Sequence, residues 1–397
     1  EDAVYPYRQD SDAGQFTEYW ESIDDPAEYE NLIGVGRKPL DTQRYQYILP
    51  AVGVTIGRLL HMSAAGVFFL GRLFNMLGFV LVTAYAIRCL PFGKNILMLV
   101  ALMPMTLQQA SAFSYDAFLN ALGFLIVAMT IRLTYGEEGE RDAGAEAGAG
   151  MSRRQHIFCL IVLAAACILI LPVKRYAYAA LCFLPLLYVK KKWKTDRKGA
   201  IFILAVLLGC VAVFGVTTVL PEFQNTGVTA PSAVSASGKQ RYSLEYLLSK
   251  PYEWVYVLLN TSRNRGAFYI ESMIGSPMGV LSKIINTTII YCYVVLLVLA
   301  SLKRKGETIV PGRAAKIWIN LMAWGSVACI MAGMLFAYTD ITHQRIDGVQ
   351  GRYFIPIVFP MLLTVRSDKI VADHSLDGPL LSGALTCLFF MVHFLIS

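Results

Sequence analysis

Two kinds of side chain in this chain could do chemistry on a phosphorylated or hydroxylated ligand. The carboxylates are Asp24, Asp25, Asp116 and Glu271, and the cations are Lys174, Arg175, Arg263 and Arg352. A carboxylate can take the proton from an acceptor hydroxyl. A cation can hold a departing phosphate, and arginine does so with a two-pronged fork. Arg352 belongs to a short polar stretch, Thr339 to Pro360, that also carries Asp340, His343, Arg345 and Asp347 between two hydrophobic runs. Its glycines, Gly348 and Gly351, allow tight turns. Asp116 begins a hydrophobic run, and Asn120 follows one helical turn later on the same face. An acid there also serves as a first-turn partner of the helix dipole, and the two roles can coexist. Lys174–Arg175 is either a snorkelling pair anchoring two span ends or an anion site for a lipid phosphate. Arg72, with Asn75 on its face, reads as structural glue for a buried acid such as Asp116.

The elements that hold these residues are set by composition. Of 397 residues, 56% are hydrophobic and 16% charged, against about 25% charged in soluble domains. A bilayer is the natural solvent, and a crossing needs about 20 apolar residues. The pattern gives about ten spans, near 64–88, 94–113, 115–133, 155–171, 175–190, 199–220, 283–302, 316–338, 352–366 and 379–396. Prolines 185, 356 and 360 fall in two short ones. The fold class is therefore an all-α polytopic transmembrane bundle. Residues 1–62 form an extracytoplasmic segment with a juxtamembrane helix, and 63–397 form the transmembrane domain with a large outer loop at 221–282. Residues 45–61 repeat apolar side chains at helical spacing, as an interfacial helix or as the first turns of the next span. The Gly/Ala/Glu stretch within 134–154 reads as a flexible linker. In the outer loop, 244–259 is apolar and aromatic around Pro251, as in interfacial or re-entrant helices.

Basic residues crowd 190–198 and 303–316, which places both loops in the cytoplasm. Counting spans from them puts Asp116, Lys174, Arg175, Glu271 and Arg352 at outer span ends. An outer start then implies a further span upstream, about eleven in the whole protein. The net charge of +7 is spread over short loops rather than gathered in a stripe, so no nucleic-acid partner is expected. No cofactor is expected either: there is no GxxxxGK[ST], GxGxxG or GxSxG pattern. The five histidines show no metal-ligand spacing, and the eight cysteines form no CxxC pair.

Three segments carry a resemblance. They are Leu70-Gly71-Arg72-Leu73-Phe74-Asn75, the run from Met103-Pro104-Met105 to Ser114-Tyr115-Asp116-Ala117, and Gly348-Val349-Gln350-Gly351-Arg352-Tyr353-Phe354-Ile355-Pro356. In this order they resemble the bacterial predicted membrane protein family called domain of unknown function 2142, from about Tyr45 onward. That family is similar in layout to the GT-C glycosyltransferases. The resemblance implies a multi-pass plasma-membrane protein with an extracytoplasmic site. Its partners would be a polyprenyl-phosphate-linked sugar as donor and a cell-envelope glycan as acceptor. In GT-C enzymes the base is an acid of the first outer loop, and Asp24-Asp25-Pro26-Ala27-Glu28 resembles an acidic motif of that loop. On these grounds Asp116, Glu271, Asp24 and Asp25 are the candidate catalytic acids. Lys174, Arg175, Arg263 and Arg352 are the candidate lipid-phosphate ligands. Two rivals use the same outer cations without a base. One is a transporter or flippase of a lipid-linked glycan, a class that often shows inverted repeats not evident here. The other is a non-catalytic envelope scaffold.

Overall fold

The computed structural model describes residues 44–142, 151–174, 176–216, 242, 246, 249–278, 284–372 and 375–396. Almost everything described is helical. After a short 3-10 turn (Arg44–Tyr47), α1 (Ile48–Leu59) and α2 (Ala64–Cys89) form an antiparallel hairpin. A Cβ on Gly53 would stand 2.5 Å from the Leu70 carbonyl oxygen, and one on Gly57 would press Val67. Only glycine lets the two backbones approach this closely. Residues 45–61 are thus a separate helix folded back on the span, not its first turns. Ser63 caps α2 by accepting the Gly66 N–H at 3.1 Å.

The expected span at 94–113 is broken into α3 (Lys94–Ala101) and α4 (Pro104–Ala110). Pro104 cannot continue the hydrogen-bond ladder, and it sits at the first position of α4. The Thr106 hydroxyl donates to the freed Val100 carbonyl at 2.9 Å, bridging the break.

Next comes α5 (Asp116–Asp142), about which the bundle is organised. Its apolar window is 89% buried, whereas the other four helices long enough to cross a membrane are 22–39% buried. α5 also continues as helix through the start of the stretch expected to be a linker. α6 (Arg153–Ile170) opens with a reciprocal capping box between Ser152 and Gln155. From residue 176 on, the expected span at 175–190 is an irregular turn, a 3-10 turn (Ala179–Phe183) and the short α7 (Leu186–Lys192), interrupted at Pro185. α8 (Arg197–Phe214) is capped by Asp196.

The second half contains α9 (Pro251–Ile274), α10 (Thr287–Ala300), α11 (Arg313–Tyr338), a 3-10 turn (Gly351–Phe354), α12 (Ile355–Leu363) and α13 (Asp377–Ile396). Pro251 does not interrupt a helix; it starts α9. Two-residue strands β1 (Lys303–Arg304) and β2 (Val371–Ala372) pair in parallel. Among the described residues, five helices meet the length and apolarity of a crossing: α2, α5 as far as Glu138, α6, α8 and α11. α10, the 351–363 segment and α13 are apolar but shorter.

The bundle has two chemically different ends. At the C-terminal end of α5, Tyr135 stacks edge-on against Phe92 at 5.7 Å. Lys191 lies 3.7 Å from the Tyr135 ring centroid and Arg366 lies 5.2 Å from that of Phe92. Both basic loops therefore gather at one end. Their charges are matched there: Lys191 with Glu138 at 2.6 Å, Lys192 with Glu137 at 2.8 Å and Lys303 with Asp368 at 2.5 Å. The buried Arg366 pairs with Glu307 at 2.6 Å. Asp116, at the other end of α5, is 19 residues from Tyr135, or about 29 Å along the helix.

Candidate functional site

Asp116 opens the central helix. Its backbone N–H donates to Ser114 Oγ at 3.1 Å, and Ser114 in turn donates to Gln109 at 3.2 Å, fixing the turn into α5. α12 lies hard against α5: a Cβ on Gly123 would come within 2.6 Å of Pro356. This close approach brings the Gly351–Phe354 turn beside the start of α5. The turn is held from outside by α9, where Ser272 Oγ accepts the Gly351 N–H at 2.9 Å and Tyr269 meets Phe354 ring to ring at 5.6 Å.

The result is a charged cluster drawn from three distant parts of the chain. Lys174 Nζ stands 2.6 Å from Asp116 Oδ1, and Arg352 Nε stands 3.7 Å from Oδ2. The Lys174 ammonium is also 3.8 Å from the Tyr353 ring centroid and 5.3 Å from that of Tyr115, a cation–π cage on two sides. Tyr178 ties the turn down by donating to the Tyr353 carbonyl at 2.7 Å. Lys174 and Tyr176 both hold left-handed backbone, with φ of +50° and +65°. Each costs about 1–2 kcal/mol for a non-glycine residue, so the ion pair and the tyrosine contacts act against local strain.

Several polar atoms here are buried without a hydrogen-bond partner. They are Asp116 Oδ1, Arg352 Nε and both amide atoms of Asn120. Lys174 neutralises Oδ1 by charge without the alignment of a hydrogen bond. Asn120 is 1% exposed, and leaving its amide unmatched costs about 1–3 kcal/mol per group. A cluster with two cations, one carboxylate and an unmatched amide offers a net positive charge with donors and an acceptor beside it. That set suits a phosphate or a hydroxylated ring.

Of the residues singled out from sequence, Asp116, Lys174 and Arg352 come together. Glu271 does not join them: it lies on α9, pairs with no cation among the described residues, and its backbone carbonyl accepts the Gly275 and Ser276 N–H groups. Arg263 is exposed on α9, away from the face that buries Val257, Thr261 and Ser272. Asp24, Asp25 and Arg175 lie outside the described residues. Arg72 does not pair with Asp116. Its Nε donates to the Ser111 carbonyl at 2.5 Å, and Asn75 beside it donates to the carbonyls of Ala112 and Ser114 at 2.7 and 3.2 Å. Both satisfy the backbone of the turn before α5, a demand that no sequence period reveals. Sequence reasoning passed over Tyr115, Tyr178 and Tyr353 as site residues. The signal for Tyr353 was its place in the Gly-Arg-Tyr-Phe-Ile-Pro block.

A second polar knot sits at the basic end. Asp196 accepts from the Gly199 N–H at 3.1 Å and from the Tyr188 hydroxyl, and its Oδ2 lies 2.6 Å from His156 Nε2. Burial works to raise the Asp196 pKa, but Tyr188, Gly199 and His156 outweigh it and hold the carboxyl below its ordinary range. The knot joins α6, α7 and α8.

A described fold that is nearly all helix, with five helices long and apolar enough to cross a bilayer, is that of a membrane protein. Residues 30–361 match the family model for domain of unknown function 2142, described as a predicted membrane protein. The chain belongs to that family. No curated protein matches it, and no solved structure does.

Proposed function

We propose that this protein transfers a sugar from a polyprenyl-phosphate-linked donor to a cell-envelope glycan on the extracytoplasmic face. The charge bias supports the orientation, because both basic loops lie at the end opposite Asp116 and basic loops favour the cytoplasm. The observation that carries the reading is the cluster itself. A buried carboxylate at the start of the central helix lies between two cations, beside an amide with both polar atoms unmatched.

In this reading the acceptor hydroxyl gives its proton to Asp116 and its oxygen bonds to the anomeric carbon. The bond from that carbon to the phosphate oxygen breaks, and the phosphate leaves with the electron pair. Arg352, whose Asp116 contact is the longer one, holds the leaving phosphate. Lys174 keeps Asp116 in place, and Asn120 orients a hydroxyl. The test is transfer of labelled sugar from a polyprenyl-phosphate donor by the full-length protein in nanodiscs, with Asp116→Asn beside it. Transfer by the wild type and its loss in the variant are expected. Equal transfer by both would remove Asp116 from the chemistry.

One observation favours a second reading. Each Asp116 oxygen already faces a cation, as in a structural lock that shapes a binding site without proton transfer. The protein would then bind or move a lipid-linked glycan as a transporter or scaffold. Donor binding with no transfer under any acceptor identifies that case.

A further inference from the structure

The α1–α2 hairpin reaches well past the level of the Asp116 cluster. Asn75 bonds to the carbonyls of Ala112 and Ser114, and Phe79 meets Phe124 at 6.3 Å. The start of α5 is thus level with residues 71–75 of α2. The part of α2 from Ala64 to that level continues outward for about 10–16 Å. α1 runs beside this extension, as the contacts of Gly53 with Leu70 and of Gly57 with Val67 require. Beyond the cluster, then, stands a two-helix arm.

The arm does not have the surface of a water-exposed arm. Along α2, Phe69, Leu73, Leu77 and Leu81 are all exposed, one per turn, from 36% at Leu73 to 69% at Leu81. The stripe runs through the level of Asp116 with no change in character. Arg72, the one charge along it, turns inward to the Ser111 carbonyl. α1 extends the same apolar surface with Ile48, Leu49, Val52, Leu59 and Leu60, Leu59 being 73% exposed. Exposed charge returns at Arg58, near the tip of the hairpin, at Arg88, at the other end of α2, and at Arg44, where the 3-10 turn enters α1. A hydrocarbon core of about 30 Å, counted as 20 residues back from Arg88, reaches Phe68.

We propose that the hairpin is sunk in the outer lipid leaflet, α1 being a half-span against α2. The cluster of Asp116, Lys174 and Arg352 then lies roughly 5–10 Å beneath the outer hydrocarbon edge. The occupant of the arm's apolar face is lipid acyl chain, because that face is continuous with the lipid-facing stripe of a span. A recessed cluster of ions is reached sideways, by a ligand whose charged head is carried on a hydrocarbon tail. The proposal stands apart from the transfer reading, since it concerns depth and holds whether or not Asp116 moves a proton.

The test uses the wild-type full-length protein in phospholipid vesicles containing a phospholipid with a diazirine in its acyl chain. Irradiation inserts carbenes where acyl chain touches protein, and peptide mass spectrometry maps the sites. Hydroxyl-radical footprinting of the same vesicles maps contact with water. Carbene insertion at Phe68 and Phe69 as well as at Leu77 and Leu81, with those aromatics shielded from radicals, is expected. Insertion at Leu77 and Leu81 alone, with Phe68 and Phe69 oxidised, would place the arm in water and overturn the proposal. Neither label on the arm would mean that a second copy covers it, which also overturns the proposal.

Discussion

Replacing Lys174 with Met removes the charge facing Asp116 while keeping most of the side chain's length. The ammonium is 2.6 Å from the carboxylate, and the two side chains are 14% and 9% exposed. Taking one partner from a buried pair costs about 3–5 kcal/mol, because the other charge stays buried. Arg352, at 3.7 Å from Oδ2, offsets part of that loss, so the low end, about 3 kcal/mol, is expected for Lys174→Met. Asp116→Asn leaves Lys174 caged by Tyr353 and Tyr115 without a counter-charge and should cost a similar amount. The double variant has no unpaired lysine or aspartate at that contact. Its loss should fall short of the summed single losses by about 2–3 kcal/mol, the coupling of residues in direct contact. The assay is reversible unfolding in mixed detergent micelles of wild type, both singles and the double. Additive losses within about 0.5 kcal/mol would show that the pair does not couple and would refute the reasoning.

The same structure makes three further claims. Asn120→Leu removes two buried polar atoms that lack partners, so thermal stability should be unchanged or rise by about 1 kcal/mol while donor binding falls; a clear loss of stability would mean that the amide is matched in the folded protein. Gly351→Ala places a Cβ against the α9 backbone at Tyr269 and Met273, which should cost about 1–3 kcal/mol and loosen the turn carrying Arg352; wild-type stability and binding would contradict the packing. Asp196 is held below its ordinary carboxylate range in the folded protein, so its stabilisation is complete above the unfolded value of about 3.9 and is lost as pH falls through the folded one. The melting-temperature gap between wild type and Asp196→Asn should therefore be full at neutral pH and close on acidification, and a gap independent of pH would refute that sign.

The bundle class was legible because apolar runs of membrane length are long and unambiguous. Asp116 and Arg352 were legible because an ionisable group at a span end is costly and stands out. What stayed hidden depended on backbone geometry. The break at Met103–Pro104 turns one expected span into two helices. Pro251, expected inside a helical stretch, opens one instead. Arg72 and Asn75 are committed to carbonyl groups at residues 111–114, and a carbonyl leaves no mark in a sequence. The hairpin was half legible: the periodicity of 45–61 gave a helix, but its packing depends on Gly53 and Gly57 facing α2, a spacing with meaning only once both helices are side by side. Glu271 and Arg263 had the right charge at the right end, yet α9 points Arg263 away from the cluster.

The central claim is that the Asp116, Lys174 and Arg352 cluster binds the phosphate of a lipid-linked sugar, and the most direct measurement is donor affinity. Binding of a polyprenyl-phosphate-linked sugar to the full-length protein in nanodiscs would be compared for wild type, Arg352→Lys and Arg352→Ala. A charge-assisted contact contributes about 1.5–3 kcal/mol, so Arg352→Ala should weaken binding by roughly tenfold or more. Arg352→Lys should recover only part of the loss, because the guanidinium fork is gone. Unchanged affinity in Arg352→Ala would contradict the account and leave the cluster as a structural lock at the start of the central helix.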